Sequence, residues 1–130
     1  MLLARILLFV NGAAFALYGL ACVFSPNRVA EYSAMELSSA SALTEVVAMY
    51  GGLQAGIGVL FLYNGLRPAR VLAGLSVMVL LMGSLALART VGLLIYGMSE
   101  YNILALVYES LSALLAFVAM QRIDARRVEV

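Results

Sequence analysis

The chain has 130 residues, 65% of them hydrophobic, a mean hydropathy of +1.03 and a net charge of +1. A soluble fold of this size has to cover itself with polar surface and cannot hide so large an apolar share, so the composition excludes a soluble domain and points to an integral membrane protein. No basic excess attracts nucleic acid. The single Cys22 rules out an internal disulfide, and the lack of His and of any CxxC leaves no conventional metal or haem site, so no metal and no cofactor is expected.

Apolar runs long enough to cross a bilayer lie at about residues 4–24, 45–63, 71–96 and 103–121. They predict an all-α fold, a single transmembrane four-helix bundle. The N-terminal run carries Asn11, exceeds the length of a signal-peptide core and has Gly19 where a lipoprotein signal needs an aliphatic residue, so it reads as a retained first helix. Between the first two spans lies the only long loop, "SPNRVAEYSAMELSSASALT". Ser25 as a cap, Pro26 at the first helical position and Val29 with Tyr32 at helical spacing fit a short surface helix, and a solvated connector fits the same residues. The turns "NGLRPAR" and "GMSEY" are short, so helices two and three, and three and four, are expected to be antiparallel neighbours.

Four spans put Arg5, Arg67, Arg70, Arg122, Arg126 and Arg127 on one side and only Arg28, with Glu31, Glu36 and Glu100, on the other. By the positive-inside rule both termini are cytoplasmic and the long loop is extracytoplasmic.

Two charges break the apolar spans. A charge at mid-membrane costs about 2.5 to 3.5 kcal/mol on insertion scales, so Arg89 and Glu109 each need a partner. Both stand ten residues from Ser99 at the turn. In an antiparallel hairpin that spacing puts them at one depth, roughly 10 Å below the outer interface. On helix four, Ala105, Glu109, Ser112 and Ala116 form a small or polar stripe, and on helix three Ser84, Ala88 and Gly92 lie beside Arg89. An ion pair facing the interior is the expectation, and it either fixes helix register or holds something.

Helix one sets Asn11, Phe15, Tyr18 and Cys22 on one face, and helix two carries Tyr50 and Gln54 four apart. The expected site is a polar pocket in the outer half of the membrane, lined by Tyr18, Tyr50, Gln54, Arg89 and Glu109. Glu45 either complements the N-terminus of helix two or forms the pocket mouth. Ala48, Gly52 and Gly56 make a GxxxG seam, read first as packing within the chain and second as a dimer contact. Tyr63, Tyr96 and Tyr101 read as interfacial anchors, and Met78 and Met82 as lipid-facing or core filler.

The segments "EVVAMYGGLQAGIGVLFL", "ARTVGLLIYG" and "VYESLSALLAF" resemble an uncharacterised bacterial family of small four-helix membrane proteins, a domain of unknown function that is similar in layout to the DoxX-like proteins. The resemblance covers nearly the whole chain. It implies matched positions at Glu45, Tyr50, Arg89 and Glu109 and a place in the bacterial inner membrane. An additional basic residue often precedes the MYGG in that family, whereas Val46, Val47 and Ala48 stand here, which argues against a role needing two positive charges in the pocket.

The function these readings favour is a binding or accessory membrane protein whose pocket takes a lipophilic molecule with a polar or anionic head, such as a lipid, fatty acid or quinone, alongside the bilayer itself. A membrane enzyme using Glu109 or Glu45 as acid or base on a lipid-soluble substrate is the alternative, as is a structural subunit. Small-residue faces also permit a homo-oligomer or a membrane-complex partner. Transport has little support, since no broken helix or inverted repeat is visible.

Overall fold

A computed structural model describes residues 1–128 of the chain, with side chains as far as Ile123. Arg126 and Arg127, counted above for orientation, lie outside the residues whose side chains are described. The described chain is all-helical. Its elements are α1 (Leu2–Phe24), α2 (Pro26–Tyr32), α3 (Ala40–Glu45), a π-helical segment (Val46–Gly52), α4 (Leu53–Leu66), a 3-10 turn (Pro68–Arg70), α5 (Val71–Tyr96) and α6 (Glu100–Val128). Four stretches are long and apolar enough to cross a membrane: Leu2–Phe24, Ala40–Leu66, Pro68–Tyr96 and Glu100–Ile123. Apolar residues also cover their outer faces, with Leu80, Leu87, Leu94 and Leu114 all exposed, as expected where the surrounding solvent is lipid.

The second span starts earlier than its hydropathy implies. Ser39 caps α3, its hydroxyl accepting from the Ala42 amide at 3.1 Å. Glu45 is therefore the last residue of α3, more than a turn inside the helical path, and does not complement a helix N-terminus. The long loop does contain a short helix, α2, although Ser25 precedes it without a side-chain cap bond. It closes with the amides of Ala34 and Met35 turned back to the carbonyls of Glu31 and Ala30, and Ala34 carries the left-handed φ of 55° that this closure requires.

The contacts divide the chain into two compact units. One runs from Val10 to Leu62. In it α1 meets α4 backbone to backbone: a Cβ added at Gly19 would lie 2.7 Å from the Gly51 carbonyl oxygen, and one added at Gly58 would lie 2.7 Å from that of Gly12. Phe15 and Phe61 fill the space beside this seam edge to face, 5.9 Å between centroids. The expected Ala48, Gly52, Gly56 seam is not the packed one: at Gly56 nothing described lies within 4 Å of an added Cβ, and Gly52 is exposed. The π segment is the reason. Its i→i+5 turn takes more residues to go once round, so every later residue lies less far round the axis than an α-helical count from Glu45 allows, and Gly51, Ala55 and Gly58 reach α1.

The other unit joins Met1–Phe9 to the chain from Tyr63 onward. Its core is Leu8, Val71, Leu75, Met78 and Met82, all fully buried, with Ala116 and Ala119 of α6. Met78 and Met82 are thus core and not lipid-facing. Gly74 admits Leu8 and the buried Asn64, since a Cβ there would sit 2.7 Å from that of Asn64. Chain reversal between α5 and α6 uses Gly97 at φ 97°, a conformation a side chain resists.

Candidate functional site

α6 faces α5 with Glu109, Ser112 and Ala116, all buried, which is the small and polar stripe its sequence predicts. The opposing residues on α5 differ from expectation. Met78 and Met82 lead along the buried face toward Arg89, whereas Ser84 and Ala88 are exposed and an added Cβ at Gly92 meets nothing described. That side of α5 is open, because α6 covers the neighbouring face.

Arg89 and Glu109 form the predicted pair, and it is bidentate. Nε donates to Oε2 at 2.9 Å and Nη2 to Oε1 at 2.6 Å, the parallel arrangement in which guanidinium and carboxylate match best. The Glu109 side chain is 6% exposed and that of Arg89 22%, so the carboxylate is enclosed and the guanidinium reaches an edge.

At that edge a third contact forms. Arg89 Nη1 donates to Asn102 Oδ1 at 2.6 Å. Asn102 is held in turn by Ser99, which precedes α6: the Ser99 hydroxyl accepts from the Asn102 side-chain amide at 2.8 Å and from its backbone N–H at 3.4 Å. A helix cap is thereby wired to the ion pair through one amide. Asn102 is a site residue that hydropathy does not mark; its signal in the sequence is spacing, since a residue seven before Glu109 lies two turns away on the same face.

Beside the pair is a groove of about 300 Å³ lined by Leu85, Ala88, Arg89, Gly92, Leu93, Tyr96, Gly97 and Asn102. Its lining is mostly apolar, with Arg89, Asn102 and Tyr96 contributing the polar side-chain groups. Glu109 does not line it.

The remaining candidates belong to the other unit. Tyr18 is half-buried on α1 and hydrogen-bonded to the side chain of Cys22, one turn on. Asn11, Phe15 and Cys22 are buried on the face predicted for them. Tyr50 is exposed within the π segment, Gln54 is half-buried on α4 and Glu45 is exposed at the end of α3. No cluster of residues able to hold a metal occurs among the described residues.

A family model described as a domain of unknown function (DUF4345) matches residues 3–120. The chain belongs to this family. The DUF4345 match takes in the MYGG segment, Arg89, Asn102 and Glu109, and so covers both the π segment and the complete polar site. Its description assigns no activity to carry over. No curated protein and no solved structure matches the chain.

Proposed function

We propose that this DUF4345 protein binds a lipophilic molecule whose polar or anionic head docks against Arg89 in the outer leaflet of a bacterial inner membrane, with both termini in the cytoplasm. The observation that carries the reading is the groove beside Arg89: apolar walls of Leu85, Leu93 and Tyr96, with a guanidinium and a fixed amide at one edge. Arg89 lies seven residues from the end of α5, about 10 Å along its axis. That depth suits a molecule whose head stays near the interface while its tail follows the helix. Arg89 and Glu109 together carry no net charge, so directed hydrogen bonds do more to hold the head than bulk attraction. A quinone carbonyl or a fatty-acid carboxylate meets both requirements.

The enzyme alternative is weaker on the same geometry. Both Glu109 oxygens accept from Arg89, and Glu109 does not line the groove, so it has no approach to a substrate there. The other alternative is a purely structural pair that fixes α5 against α6.

Mass spectrometry of lipophiles co-purifying from native membranes separates the two. Gly92→Leu places a side chain into the groove without meeting described backbone. It should empty the site while leaving the fold intact. Arg89→Lys keeps the charge but loses the fork, and retention should fall roughly tenfold. The same complement of lipophiles in all three proteins, or none in the parent, overturns the proposal and leaves the pair a structural role.

A further inference from the structure

At the opposite end of α5 a second group of arginines is arranged quite differently. The 3-10 turn Pro68–Arg70 brings Arg67 and Arg70 to one side of the chain, because residues three apart eclipse in that geometry, and Pro68 sets its first dihedral. The Arg70 amide closes it on the Arg67 carbonyl at 2.8 Å. Both guanidinium groups then lie over the same ring, 4.3 Å and 5.1 Å from the centroid of Tyr63. Arg5, from the first turns of α1, joins them: its Nε donates to the Gly65 carbonyl at 2.9 Å, two residues from Arg67. Gly65 permits that approach, since a Cβ there would already sit 3.3 Å from that of Leu8.

Three cations are thus held around one turn, and among the described residues none of them is paired with a carboxylate. An aromatic face and a helix C-terminal carbonyl orient them and offset part of their repulsion, but neither neutralises charge. Three stretches able to cross a membrane have ends near this turn, at Leu2, Leu66 and Pro68, and the end of a span is where a bilayer presents its phosphates. Arginine forks suit phosphate oxygens, and basic pockets at span ends take anionic head groups.

We propose that Arg5, Arg67 and Arg70, oriented by Tyr63 and the Gly65 carbonyl, form a binding site for the phosphodiester of an anionic phospholipid. The site is independent of the groove at Arg89. It anchors the α4–α5 turn to one leaflet and selects lipids whose head group carries net negative charge.

The test is native mass spectrometry of the full chain released from phosphatidylcholine nanodiscs with or without phosphatidylglycerol. One phosphatidylglycerol should stay bound, and the Arg67→Ala/Arg70→Ala double variant should lower its occupancy roughly thirtyfold. Arg67→Lys/Arg70→Lys keeps the charge that membrane insertion reads and should still lose most of the retention, as should Tyr63→Leu, which leaves all three arginines in place. Arg122→Ala, an exposed arginine outside the cluster, should match the parent. Equal retention in the parent, the lysine variant and Tyr63→Leu overturns the proposal in favour of diffuse surface charge. Displacement of the lipid by inorganic phosphate overturns it in favour of a soluble anion.

Discussion

Where α1 meets the π segment and α4, the contact is made largely of backbone: Gly12, Gly19 and Gly58 let the chains approach until an added Cβ would overlap a carbonyl or amide, and Gly51 leaves room for the Val23 side chain. Where α5 meets α6, it is made of side chains, with methionines and alanines over part of its length and a bidentate ion pair beyond them. Lipid supplies no hydrophobic drive to bring helices together, so each contact needs another source of attraction. Close glycine packing obtains it from many small dispersion contacts and is intolerant of added volume. The ion pair obtains it from one strong interaction and is intolerant of losing a single partner. The first is a way to hold two helices and nothing else. The second leaves an arginine at the edge of an open groove, where a ligand can use it.

The comparison breaks most completely at the glycines. In Gly58→Leu the new Cβ runs into the backbone of Ala16 and Gly12, which no rotamer change relieves. We expect no folded protein to be recovered, as read by size-exclusion and circular dichroism in detergent. Gly56→Leu, two residues earlier on a face with nothing described within 4 Å, should behave as the parent. Equal damage from both would show that the seam is wrongly placed.

At the charged contact the order of damage should invert with the number of changes. Glu109→Leu leaves Arg89 without its carboxylate and should cost about 3 kcal/mol in reversible unfolding. Adding Arg89→Leu removes the orphaned charge and should restore most of that loss, to within about 1 kcal/mol of the parent. A double variant as unstable as the single one would mean that the residues matter for shape and not for charge.

The two contacts were unequally legible in the sequence. The ion pair could be read because both members break apolar spans and stand equidistant from one turn; hydropathy and helical rise sufficed. The four membrane-capable helices followed from composition in the same way. The glycine seam could not be placed, although "GGLQAGIG" displays the residues, because two faces of small residues compete there. The choice depends on a π turn that leaves no mark in hydropathy. Asn102 and Ser99 are harder for another reason: at the end of a span polar residues are ordinary, and the seven-residue spacing that puts Asn102 on the face of Glu109 does not by itself tell a residue wired to a buried charge from one facing water. Tyr18, Tyr50 and Gln54 carry no comparable mark: helical rise brings them to the level of Arg89 without saying which helix face meets which.

The smallest expected effect also tests how far the site is built and not merely charged. Asn102 touches Arg89, whereas the Ser99 hydroxyl holds Asn102. Asn102→Ala removes a hydrogen bond to a charged group and should cost about 1.5 kcal/mol; Ser99→Ala loses a long cap bond and an orienting contact and should cost about 0.5 to 1 kcal/mol. If Ser99 acts by holding the amide toward Arg89, much of its effect disappears once Asn102 is gone. The Ser99→Ala/Asn102→Ala double variant should then cost clearly less than the two single losses added. Additivity would reduce Ser99 to an ordinary cap and leave Asn102 to find Arg89 unaided. Coupling would mean that the last turn before the membrane boundary sets the direction of a charge several residues below it, and that the groove inherits its polar edge from a helix start.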